Sequence, residues 1–197
     1  MTQTQALPAR PRIAQFVIEF MIALIGSAFL ALLSQLAIPL PFTPIPLTLQ
    51  TLGIFLLGAT LGKRRATCSV LAYLIQASIG LPVLAGAISN PLWFFDPKAG
   101  FLLSFVPAAF LIGYMIEKGV IATLPYLLFT FFLGQLVISG MGMIWLASYI
   151  GLYKAFLFGV LPFLSGALIK MIAATLSFKG YLSLRYRPFG DEEISSL

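Results

Sequence analysis

The 197-residue chain contains no histidine, one cysteine (Cys68) and six acidic residues. Without histidine it lacks the commonest metal ligand and the side chain that most readily moves protons near neutral pH. A single cysteine excludes an internal disulfide. Charged residues of either sign make up 9% of the sequence. Metal-assisted and nucleophilic chemistry are therefore poorly supplied, and neither an intramembrane carboxylate nor a Ser–base pair is visible to replace them. An enzyme is the weakest functional reading.

What the chain has in excess is apolar surface. Hydrophobic residues make up 60% of the sequence, and the mean hydropathy of +1.02 exceeds what a soluble core of this length can hide. An all-α integral membrane protein is expected. Apolar runs fall at 20–38, 48–61, 66–79, 100–116, 121–149 and 157–178, each bounded by charge, Gly or Pro. They predict six transmembrane helices in one membrane domain, residues 20–180, between tails 1–19 and 181–197.

The second and third runs are shorter than the roughly 20 residues that a straight span needs, which raises a re-entrant hairpin as an alternative. Its tip would be Lys63, Arg64 and Arg65, and burying three cations in hydrocarbon costs on the order of several kcal/mol. Two short spans joined by a cytoplasmic basic turn fit better. The fifth run is long enough to conceal a break at Gly140-Met141-Gly142, but splitting it would carry Lys179, Arg185 and Arg187 to the far side. One tilted or kinked helix is expected instead.

Six spans place Arg10, Arg12, Lys63, Arg64, Arg65, Lys118, Lys179, Arg185 and Arg187 on one side, against Lys98 and Lys154 on the other. Both termini are then cytoplasmic by the positive-inside rule. The first run could imitate a signal peptide, but its removal would leave an odd span number and spoil the charge bias. The net charge of +6 reads as topology in the cell (inner) membrane, facing anionic lipid, with no need for nucleic acid.

Nor does the chain carry an energy source. Gly58-Ala59-Thr60-Leu61-Gly62-Lys63-Arg64 superficially imitates a phosphate loop, but it is one residue short between the glycines and has Arg64 where Ser or Thr is required. Glu19 lies at the cytoplasmic edge of the first span, where snorkelling or a basic neighbour in the tail accounts for it. Uphill transport would need a second, energising subunit.

Inside the spans, Lys170 is the conspicuous polar residue. If Pro162 opens the sixth helix, Lys170 lies about two turns in from the outer end. It either snorkels to the interface or holds an anionic or carbonyl-bearing ligand. Gln35, Gln50, Gln76 and Gln135 are ordinary candidates for interhelical hydrogen bonds. The loop from Gly80 to Phe101 is longer than a plain connector. It offers Asn90, Asp96 and Lys98 for polar contact and Trp93 and Phe101 to cover a flat ring, unless Asp96 and Lys98 merely pair with each other. Ala23, Ser27 and Ala31 form a small-residue stripe on the first helix, suited to close packing within the subunit or against a partner.

Four prolines within eight positions, Pro39, Pro41, Pro44 and Pro46, set a rigid extended cap between the first two runs. The surrounding IPLPFTPIPLTLQTLG resembles the first-loop motif of the BioY family, the biotin-binding subunits of energy-coupling-factor (ECF) importers. IGLPVLAG at 79–86 is similar to that family's IGLPVFAG, and GVLPFLSGALIK at 159–170 to its sixth-helix motif of the form PFLPGDLLK. DPKAGF, at the end of the long loop, departs from the family's GPTGGY-like run.

The resemblance implies a substrate-binding subunit that captures biotin on the outer side, with no resident cofactor. The partners it implies are a transmembrane coupling protein and ABC-type ATPases. It matches Lys170 to a biotin-contacting lysine, adds weight to Gln50, and turns Ala23, Ser27 and Ala31 toward the coupling protein. It also exposes a departure: Ala167 stands at the position of the family's biotin-contacting aspartate. Asn90 and Asp96 are the expected replacements, and another small vitamin is the alternative ligand.

Overall fold

A computed structural model describes residues 12–119 and 123–185. Arg10, Arg187 and most of the two expected tails lie outside the described residues. The order is α1 (Arg12–Gln35), β1 (Ala37–Ile38), β2 (Leu47–Thr48), α2 (Gln50–Ser78), α3 (Ala99–Lys118), α4 (Leu124–Ile150), α5 (Leu152–Gly159) and α6 (Leu164–Arg185). Short 3-10 turns at Trp93–Phe95 and Leu161–Phe163 complete it. Four stretches are long and apolar enough to cross a membrane: Arg12–Gln35, Ala99–Lys118, Leu124–Ile150 and Leu152–Leu184. Their outer faces carry large exposed apolar side chains, among them Phe16, Ile25, Phe129, Ile144 and Leu176. α1 begins at Arg12, so it takes in residues expected in the tail.

The second and third apolar runs meet as two arms of α2, broken at Gly62. A straight helix would hold Gln50 and Tyr73 about 34 Å apart, yet Gln50 Nε2 donates to the Tyr73 hydroxyl at 2.6 Å. The arms 50–61 and 63–78 therefore fold back on each other. The reversal depends on Gly62, whose φ of 77° and ψ of 174° lie in a region that side chains other than glycine's all but exclude.

Beside the reversal, the Lys63 amide donates to Glu117 Oε1 at 2.8 Å, and Lys63 Nζ pairs with Glu117 Oε2 at 3.0 Å. Arg65 holds Glu19 with two hydrogen bonds of 2.6 and 2.9 Å, so the partner of Glu19 is in the turn and not in the tail. These pairs are partly or fully exposed and contribute little stability, but they gather α1, α2 and α3 at one basic end.

α4 runs unbroken through Gly140-Met141-Gly142. Pro162 sits in the 3-10 turn that precedes α6, where its missing N–H costs nothing. The core lies along the arms of α2 against α3 and α4, with Ile54, Phe55, Ala66, Val70, Ile112 and Phe131 buried. Phe55 and Phe131 stack with centroids 5.3 Å apart.

The small-residue stripe of α1 lies largely against its own subunit, one of the two arrangements that its spacing allows. Ser27 is fully buried, its hydroxyl accepting from Gln76 Nε2 at 3.0 Å, and Ala23 is buried beside it. Only Ala31 of the three keeps partial exposure. The small side chains let α1 approach the second arm of α2 closely.

Candidate ligand-binding site

The end opposite the basic turn is built from connections that the prolines and glycines dictate. β1 and β2 pair antiparallel, Ala37 with Thr48 and Ile38 with Leu47, so the proline-rich loop between them is a short hairpin over the helix ends. Thr43 Oγ1 ties it to α5 by donating to the Phe158 carbonyl at 2.7 Å. Beneath it lies a cavity of about 70 Å³. Its apolar wall comes from Ile45, Phe101, Phe105, Ile138, Phe163 and Ala167, and its polar groups are Thr48, Thr51, Gln135, Ser139 and Lys170. A mostly apolar chamber with a few convergent polar groups is the ordinary form of a small-molecule site.

Lys170 turns inward, toward the hairpin. From α6 its ammonium crosses to the start of α2, donating to the Thr48 carbonyl at 2.6 Å and to Thr51 Oγ1 at 3.0 Å. An ammonium has three donors, so one remains for a ligand. Phe101 also lines the cavity, and it fits because Gly142 on α4 leaves room: a side chain there would strike the Phe101 ring.

The other loop candidates are engaged within the loop or below it. Asn90 Oδ1 accepts from the Leu92 amide at 3.1 Å. Asp96 Oδ1 accepts from the Lys98 amide at 3.0 Å, and its Oδ2 faces Lys98 Nζ at 3.4 Å. Trp93 is buried in the core and donates from Nε1 to Ser78 Oγ at 3.0 Å. None of Asn90, Asp96 and Trp93 lines the cavity. Lys98 instead lines a second, outer hollow of about 280 Å³ between the hairpin and the 79–98 loop. Pro46 stands on the wall of both spaces.

Gln50 sits behind the site. It is buried, and the Tyr73 hydroxyl to which it donates in turn donates to the Val83 carbonyl at 3.1 Å. Ser34 Oγ donates to the same carbonyl at 2.6 Å, and Gln35 Nε2 reaches the Leu84 carbonyl at 3.4 Å. Gln50, Tyr73, Ser34 and Gln35 thus pin the opening of the long loop to the helix ends. Sequence reasoning missed Tyr73 and Ser34, because an isolated hydroxyl in an apolar run carries no positional signal.

It also undervalued Gln135. Its Nε2 donates to Ser139 Oγ at 2.9 Å, one turn along α4, while its Oε1 is buried without a partner. The three described acids, Glu19, Asp96 and Glu117, are each paired with a cation. Among the described residues no group of three His, Cys, Asp or Glu side chains is placed to hold a metal.

The BioY family profile matches residues 3–186. The chain belongs to the BioY family. It is 36% identical over 163 residues to the biotin transporter BioY of Rhizobium etli, covering 78% of this chain and 87% of that protein. The biotin transporter BioY of Rhodobacter capsulatus is 35% identical over 181 residues, covering 85% of this chain and 93% of its own. In three dimensions the fold is similar to the crystal structure of an S-component for biotin from an ECF-type ABC transporter. That match has a TM-score of 0.75 at 30% identity and covers 96% of this chain and 98% of the other. BioY proteins are transporters and not enzymes, and this one is a membrane protein with an all-helical S-component fold.

Proposed function

We propose that the chain is the biotin-binding S component of an ECF-type importer. It takes biotin into the cavity beneath the proline hairpin and passes it inward with a membrane coupling protein and a pair of ABC ATPases. One observation carries this reading: Lys170 and the IPLPFTPIPLTLQ hairpin, 122 residues apart, meet through the Lys170–Thr48 hydrogen bond at the wall of one cavity. Lys170 supplies a cationic donor to the ligand and Phe101 packs on its ring. Lys98, in the outer hollow, is the cation nearest the entrance.

The chain crosses the cell membrane six times, through α1, the two arms of α2, α3, α4 and the α5–α6 stretch, with both termini cytoplasmic. The reversal at Gly62 supports this count, and so does the gathering of Lys63, Arg64, Arg65 and Lys118 at the end away from the cavity. At about 18 Å, the first arm is shorter than the hydrocarbon core, and the hairpin beyond it makes up part of the depth. A different vitamin is the second reading, favoured by Ala167 and by the departure at DPKAGF in the long loop.

Uptake of labelled biotin tests the first. Expressed with an ECF module in a biotin-auxotrophic bacterium that lacks its own biotin transporter, the chain should restore growth at limiting biotin. Normal membrane insertion without biotin uptake would count against it.

A further inference from the structure

Pro162 leaves one carbonyl of α5 without its helical partner. The Phe158 carbonyl would accept from the amide four residues on, and that residue is Pro162, which has no N–H to give. Thr43 takes the free acceptor. Its Oγ1 donates to the Phe158 carbonyl at 2.7 Å and accepts from the Ile45 amide at 3.2 Å, so the hydroxyl is fixed on both sides. Among the described residues this is the one hydrogen bond from the tip of the proline hairpin, 39–46, to a helix. Four prolines leave the tip few amides with which to make another, and Ile45, buried against Leu146 and Ala155, supplies its apolar hold. The bond lies on a boundary. Thr43 and Pro44 line the outer hollow, Ile45 and Gly159 line the inner cavity, and Pro46 lines both. The inner cavity measures about 70 Å³, whereas small-molecule pockets begin near roughly 300 Å³, so the hairpin must shift to admit a ligand.

We infer that Thr43 is the positioning residue that fastens the hairpin tip to α5, and that it sets how fast a ligand enters and leaves without touching the ligand itself. The inference rests on the biotin reading above. Biotin passes from the outer hollow to the inner cavity through the seam between the hairpin tip and α5, and the seam parts when the Thr43–Phe158 bond breaks. The base of the hairpin stays anchored, because the β1–β2 pairing and the Lys170–Thr48 bond lie beyond the tip. The bond fastens the tip whether or not biotin lies beneath it, so its loss favours the parted form by the same factor in both states. Entry and exit both need that form. Each speeds up equally, and the affinity, their ratio, stays almost unchanged.

The test is the kinetics of biotin binding to purified wild-type protein, Thr43→Val, Thr43→Ala and Thr43→Ser. Valine keeps the shape of threonine and alanine trims it, but both lack the hydroxyl that serine retains. Thr43→Val and Thr43→Ala should each raise the association and dissociation rates together by about 2- to 12-fold, the factor to which one net hydrogen bond corresponds. Their equilibrium affinity should stay within about twofold of wild type. Thr43→Ser should keep both rates at the wild-type values. A fold that is merely weakened would not speed association. Unchanged rates in Thr43→Val and Thr43→Ala, or faster dissociation without faster association, would overturn the assignment of Thr43 while leaving the biotin reading intact. So would a Thr43→Ser protein with the rates of Thr43→Val. Failure of the wild type to bind biotin would overturn the biotin reading and this inference with it.

Discussion

Replacing Lys170 with methionine should weaken biotin binding by about 10- to 150-fold, the loss expected for a hydrogen bond from a charged donor in a secluded site. Methionine keeps most of the stem and its packing, so the change isolates the ammonium. Thr48 and Thr51, which the ammonium now bridges, lie at the edge of the hairpin. The folded protein should survive, with unchanged membrane insertion and detergent elution. If the Lys170 ammonium faces the ureido carbonyl, Lys170→Met should cost the same for biotin and for biotinamide, whose carboxylate is neutralised. A loss confined to biotin would place the carboxylate there instead. Wild-type affinity would remove Lys170 from the site.

The second large effect is structural. Ser27→Trp inserts an indole where α1 meets the second arm of α2, at a residue with no exposed surface. Ordinary overpacking costs about 1–3 kcal/mol, and this change also removes the acceptor of Gln76 Nε2. Thermal unfolding in detergent should show the folded subunit lost or severely weakened, with biotin binding and uptake falling together. Ala31→Trp, at a partly exposed position, should leave binding intact. If uptake nonetheless fails in Ala31→Trp, that part of α1 meets the coupling subunit. Normal stability in Ser27→Trp would contradict the packing of α1 on α2.

These two residues also mark what a linear reading can and cannot reach. Lys170 was legible because a lone cation in an apolar run needs a reason, and its motif and the proline hairpin each stood out locally. The basic turn at Lys63–Arg65 was legible for the same reason: hydrocarbon makes clustered charge expensive, so position follows from composition. The stripe of Ala23, Ser27 and Ala31 is ambiguous in sequence. Small residues permit close approach to any neighbour, and four-residue spacing does not say which one is present.

Asn90 and Asp96 show a second limit. Both are polar, both sit in a long loop near the site, and both spend their side-chain oxygens on amides two residues further along the chain. Such local turns look in sequence just like free ligand-binding groups. Gln135 shows the converse. It resembles any intramembrane glutamine in sequence, and the structure sets it on the wall of the same cavity as Ala167 and Lys170. Satisfaction is a property of surroundings that no single residue encodes.

Direct titration of the purified protein with biotin, without any energising subunit, tests the central claim most simply. Saturable binding of one biotin per chain, resisting competition by vitamins that lack a ureido ring such as lipoate and thiamine, is the expected result. An absence of biotin binding by protein that is folded in detergent, or equal competition by those other vitamins, would contradict it.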